Sequence, residues 1–204
     1  MNIFCIEQNY LAQKRERESV IPGEPVIFVK PQTALLLLDT AFKYEDFDDN
    51  KLYIQSEIAL RISANGKDID GKNASNFYDS ITVGVSFTAI NIHDELNGIE
   101  APWEKAKAWD HSSAIGNWIP IHEFRNKNDI NFCLYKNREM VQLGNSELMI
   151  YNFDKLISSI SKLYSLNIGD IVFTGTPVGV GEVFAGDKLE VFIEDDTLLE
   201  FEIE

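Results

Sequence analysis

The chain has 204 residues, 33 of them acidic and 18 basic, for a formal charge of 18 − 33 = −15. That length suits one domain, and a chain of this size buries roughly 70% of the surface its unfolded form exposes. So acidic a surface repels phosphates, which argues against nucleic acid and anionic membrane as partners and is otherwise a means to solubility.

Apolar residues make up 45% and charged residues 25%, ordinary globular proportions. Ile3 to Ile6 is a short apolar strand, and the segment Met1 to Glu7 has neither the basic start nor the long apolar core of a signal peptide. With no apolar run near the ~20 residues of a membrane span, a cytoplasmic protein is expected. Cys5 and Cys133 are the only cysteines. They are too few and too distant for a disulfide framework or a zinc pattern, so reduced thiols are expected. Tyr10 to Glu18 is polar and charged, a solvated helix or a lid. Pro22-Gly23-Glu24-Pro25 is a turn, Val26 to Val29 a buried strand, and 45–50 an acidic loop.

Leu52 to Ser63 reads as a strand, Asn65-Gly66 as a turn, and Ala74 to Asp79 as a short helix. Ile81 to Ile92, rich in β-branched and aromatic residues, reads as a central strand, and Asn97 to Lys107 as a loop around Pro102-Trp103. Ile130 to Tyr135 and Arg138 to Leu143 flank Lys136-Asn137 as a hairpin. Phe153, Leu156, Ile157, Ile160, Leu163 and Tyr164 recur at helical spacing after Asn152, which can cap the helix. Ile171 to Phe173, Lys188 to Ile193 and Leu198 to Ile203 are closing strands. The expected architecture is α+β but β-dominated, one domain over 1–204, with residues 1–20 contributing a strand and a candidate lid.

Gly175, Gly179 and Gly181 let the backbone turn sharply and approach a ligand closely, while Thr174 and Thr176 could offer hydroxyls and amides to a carboxylate. On the residues alone, a tight strand-exit turn with no ligand is the commoner meaning of such a pattern. The spacing fits neither a dinucleotide fingerprint nor a phosphate-binding loop.

Three segments together resemble one family. They are Gly169-Asp170-Ile171-Val172-Phe173-Thr174-Gly175-Thr176-Pro177-Val178-Gly179-Val180-Gly181 with Gly186-Asp187, then Glu24 to Ala34, then Pro102-Trp103 with Lys107. Their order and spacing resemble the fumarylacetoacetate hydrolase family, in its small acylpyruvate hydrolase and oxaloacetate decarboxylase-like branch. The resemblance implies a β-roll, a homodimer, and chemistry on small 2-oxo or 1,3-dicarbonyl acids: C–C hydrolysis, decarboxylation or isomerisation. It also implies Mg²⁺ or Mn²⁺ held by two Glu at i and i+2 of one strand and an Asp on a later strand, to stabilise an enolate.

Here the first strand carries Gln55-Ser56-Glu57. Glu57 matches the second Glu and Gln55 stands in place of the first. Ser86 stands where the Asp is expected, which leaves a metal site that is weakened or lost. The hydrolytic members also use a His–Glu pair to activate water. Glu16 matches the Glu, but Gln13 replaces the His and cannot act as a general base near neutral pH. Lys107 is kept and, with Thr176, could bind an anionic substrate.

His93, Asp94 and Glu95 could form a replacement metal site with Glu57, though charged residues after a strand usually make a solvated loop. Trp103, Trp109 and Trp118 read as packing residues rather than pocket lining. Two classes of function remain open at this point. One is an enzyme on small oxo acids with a weakened metal site, for which decarboxylation or tautomerisation suits the residues better than hydrolysis. The other is a non-catalytic relative that binds a small acid or a protein partner.

Overall fold

The computed structural model describes residues 1–11, 23–36, 42 and 51–204. Two sheets dominate it. The larger has eight strands, in the order β2-β1-β9-β3-β4-β5, with β10 also on β3 and β6 also on β4. Its members are β1 (Ile3–Glu7), β2 (Val26–Lys30), β3 (Leu52–Ile62), β4 (Tyr78–Ala89), β5 (Ser113–Ile115), β6 (Ile119–Pro120), β9 (Ile171–Phe173) and β10 (Gly181–Val183). The smaller sheet runs β12-β11-β7-β8, from β7 (Asn131–Lys136), β8 (Glu139–Asn145), β11 (Lys188–Ile193) and β12 (Asp196–Glu202). The described residues include two α-helices, α1 (Ile90–Gly98) and α2 (Phe153–Leu163).

Period-two alternation explains how the sheets meet. Ile54, Ile58, Leu60 and Ile62 of β3, with Ile81, Val83, Val85 and Phe87 of β4, are buried in one cluster with Phe132, Leu134, Leu189 and Val191 of the smaller sheet. Helix α2 adds Phe153, Leu156, Ile157 and Ile160 to that core. As expected, Asn152 caps it, the side-chain oxygen accepting from the Lys155 amide at 3.0 Å.

Most strand expectations hold to within a few residues, and the fold is β-dominated as expected. Three differ. The central strand ends at Ala89, and Ile90–Gly98 is helical. The β-branched Ile90 and Ile92 prolonged the strand pattern past the point where Ile90 donates its amide to Lys51 O and the chain leaves the sheet. Ala74–Asn76 is a single 3₁₀ turn and Tyr78 already opens β4. Strands β5, β6 and β10, of two or three residues each, are too short to carry a period. The expected segment Tyr10 to Glu18 and the acidic loop 45–50 lie wholly or mostly outside the described residues.

Candidate active site on the polar face of the larger sheet

The residues that alternate with the core ones point to the opposite face. On β3 these are Gln55, Glu57 and Ala59. On β4 they are Ser80, Thr82, Gly84, Ser86 and Thr88. Gln55 stands directly across from Ser86, and Glu57 from Gly84. Ser86 in turn stands across from Ser113 of β5. Cys5 and Glu7 of β1 and Phe28 and Lys30 of β2 lie on this same face, in register with Ile3 and Phe173. A polar group so placed needs a partner, because it is nearly without water.

Lys30 is fully buried. Its ammonium donates to Ser86 Oγ at 2.8 Å, Ser113 Oγ at 2.8 Å and the Ser112 carbonyl at 2.9 Å, three acceptors for three protons. Burial pulls its pKa down to about 8. Because Ser86 Oγ accepts from an ammonium, its own hydroxyl is a strengthened donor for whatever occupies the face.

Glu57 is the opposite case. Burial pushes its carboxyl up to about 7, against the pull of the Gly175 amide, which donates to Oε2 at 2.7 Å. That amide is presented by a left-handed turn. Gly175 has φ +96°, and a Cβ there would stand 2.7 Å from Asn9 Cβ, so only glycine fits. Both flanking threonine hydroxyls are drawn onto β3: Thr174 donates to Ile58 O at 2.9 Å and Thr176 to Ser56 O at 2.9 Å. Thr176 also accepts from Gln142 Nε2 at 3.1 Å. The threonines therefore clamp the glycine turn against the strand that carries Glu57.

Asn9 holds the turn from the other side. Its side chain donates to Thr174 O at 2.8 Å and Tyr151 O at 3.0 Å and accepts from the Tyr151 amide at 2.8 Å.

Lys107 reaches the same face from the loop after α1. It is ion-paired with Glu7, both side chains nearly buried, and its ammonium lies 5.6 Å from the Trp103 ring centre and 5.8 Å from that of Phe28. Those two rings meet edge-on at 4.8 Å. His93 of α1 packs against Trp103 at 6.2 Å, and burial together with Lys107 lowers its pKa. Trp118 lies under the Arg61 guanidinium, its ring centre 5.6 Å from it.

The structure thus brings Gln55, Glu57 and Ser86 together with Gly175, Thr176 and Lys107. Gln13 and Glu16 lie outside the described residues. His93 and its neighbours do not join Glu57. They sit on a helix, where Asp94 is exposed and His93 faces Trp103. Among the described residues no three His, Cys, Asp or Glu side chains cluster closely enough to hold a metal. For Mg²⁺ or Mn²⁺ the polar face offers oxygen donors of the right type but little negative charge: Glu57 is the one carboxylate there outside an ion pair, Glu7 being paired with Lys107, and beside it stand the Gln55 amide oxygen and a Ser86 hydroxyl already bonded to an ammonium, a poor fit for a hard divalent cation. Sequence reasoning missed Lys30, Glu7 and Asn9 as site residues. Lys30 and Glu7 were legible as inward positions only once the register of β2 on β1 and of β1 on β9 was known.

A model of the family described as "Fumarylacetoacetate (FAA) hydrolase C-terminal" matches residues 2–204. Oxaloacetate tautomerase YcgM of Escherichia coli K12 is 32% identical over 197 residues, covering 96% of this chain and 90% of its own. The human mitochondrial oxaloacetate tautomerase FAHD1 is 29% identical over 203 residues, covering 100% and 91%. Among solved structures, the fumarylpyruvate hydrolase of Pseudomonas aeruginosa, in complex with Mn²⁺ and pyruvate, superposes with a TM-score of 0.91 at 26% identity, covering 100% of this chain and 89% of that one. The chain belongs to the fumarylacetoacetate hydrolase family.

Proposed function

We propose that this family member binds a small 2-oxo or 1,3-dicarbonyl acid on the polar face of the larger sheet and interconverts its keto and enol forms without a divalent cation. The observation that carries this reading is the register of Glu57 and Ser86 on one face, with Ser86 bonded to the buried ammonium of Lys30. Enolisation needs a base for the proton on the carbon next to the carbonyl, and positive potential where the oxygen gains charge. Glu57, with a pKa of about 7, is poised to take that proton near neutral pH. Ser86 donates to the developing oxyanion, its hydroxyl polarised by Lys30. Lys107 adds positive potential that it shares with Glu7.

Hydrolysis would also require an activated water, and Gln13 has no titratable group to provide one. Two of the relatives are named as oxaloacetate tautomerases, a proton-transfer activity of the kind proposed here.

A second reading, a non-catalytic acid-binding protein, is favoured by one observation: Lys107 already has a carboxylate partner in Glu7. The two readings share the binding step and divide at turnover.

Binding is tested by calorimetry on chelator-stripped protein, with pyruvate titrated first in EDTA and then in millimolar Mg²⁺ or Mn²⁺. The expected result is the same affinity in all three. Pyruvate binding that appears only with metal would mean that the cation site is intact and that this reading is wrong.

A further inference from the structure

We infer that Glu7 sets the charge of the acid this site accepts: because its carboxylate already occupies Lys107, the site takes monoanionic 2-oxo acids and turns away dianionic ones. This rests on the acid-binding reading above and goes further, by naming the substrate class.

The ion pair is placed for such a role. Glu7 is the last residue of β1, and its alternation with Cys5 and Ile3 puts it on the polar face rather than in the core. Lys107 comes from a segment 100 residues away in sequence and is only 4% exposed, with the adjoining rings of Phe28 and Trp103 beside its ammonium. An ammonium buried against aromatic rings needs a counter-ion, because it has lost most of its water. Glu7 supplies it from within the protein.

Around the glycine turn the polar face carries two ammonium groups, Lys30 and Lys107, and two carboxylates, Glu7 and Glu57, while Arg61 further along β3 is paired with Asp79. Lys30 spends its protons on Ser86, Ser112 and Ser113. A ligand bearing one carboxylate can share Lys107 with Glu7. A second carboxylate would meet Glu7 and Glu57 in a water-poor site, where like charges repel more strongly than in water. A purely structural ion pair would stabilise the fold without discriminating between ligands.

The test is calorimetric titration of wild type, Glu7→Gln, Glu7→Asp and the double variant Glu7→Gln/Lys107→Met with pyruvate, a monoanion, and oxalate, a dianion of similar size. Gln keeps an oxygen that can accept from Lys107, so the fold is preserved, and melting temperatures monitor this. Wild type is expected to bind pyruvate about tenfold or more tightly than oxalate. Removing one negative charge in Glu7→Gln tightens oxalate about tenfold while moving pyruvate much less, on the scale expected for one partly buried charge pair. Glu7→Asp keeps the wild-type preference, and the double variant loses the oxalate gain. If pyruvate binds and the oxalate-to-pyruvate ratio is the same in Glu7→Gln as in wild type, the inference falls and the acid-binding reading stands. If neither ligand binds any variant, both fall.

Discussion

Replacing Glu57 by Gln lowers the rate of proton abstraction from a bound 2-oxo acid by about 10²-fold or more, the scale of a positioned general base. The wild-type rate rises with pH through about 7, as the carboxylate ionises, and the variant loses that limb of the profile. Stability moves the other way. The folded-state pKa of Glu57 is raised above its ordinary 4.5, so the stability linked to this group is present below about 4.5 and lost as pH rises through about 7. Gln has no charge to bury and suffers no such loss. Relative to wild type, Glu57→Gln is therefore more stable at pH 8 than at pH 4 by roughly 3 kcal/mol, the equivalent of the shift at 1.36 kcal/mol per unit. Urea unfolding at the two pH values measures it. Equal differences at both values would mean that Glu57 is not held protonated by burial. A variant that gains stability at pH 8 while losing turnover separates a base from a structural residue.

The second large effect is on folding. Asn9→Ala removes a side chain with no solvent exposure and three hydrogen bonds, two donated to Thr174 O and Tyr151 O and one accepted from the Tyr151 amide. Each backbone group left unpaired in the interior costs ~1–3 kcal/mol, so the variant is destabilised by about 4 kcal/mol. For a chain of this size that lowers the melting temperature by roughly 10 °C. The glycine turn loses its support at the same time. Ligand affinity is therefore expected to fall even at temperatures where the variant is folded, because the Gly175 amide no longer fixes the Glu57 carboxylate.

Much of this was legible from the residues. The i, i+2 spacing of Gln55 and Glu57 put them on one face of a strand, and register then placed Ser86 opposite Gln55. The glycine turn was recognisable from Gly175, whose positive φ only glycine adopts without strain. What the threonines beside it do was not legible. A hydroxyl next to a glycine turn can serve a ligand or the backbone equally well, and only the 2.9 Å contacts to Ile58 O and Ser56 O decide it.

Lys30 was hidden for a different reason. Lysine at a strand end before proline reads as an exposed terminus, and nothing local indicates that β2 is drawn in so that its ammonium meets serines 56 and more residues away. Glu7 and Lys107, 100 residues apart, are likewise a product of topology rather than of any motif. Helix α1 was missed because Ile90 and Ile92 extend a β-branched run, while the loss of sheet partners beyond Ala89 is a tertiary fact.

Proton transfer on the polar face without a metal is tested most directly by hydrogen–deuterium exchange at the methyl group of pyruvate, followed by proton magnetic resonance in D₂O, first with EDTA and then with Mg²⁺ in its place. Exchange above the buffer rate is expected in EDTA, unchanged when Mg²⁺ replaces EDTA, and absent in Glu57→Gln. Exchange that begins only when Mg²⁺ is supplied, or no exchange under either condition, would contradict metal-free proton transfer.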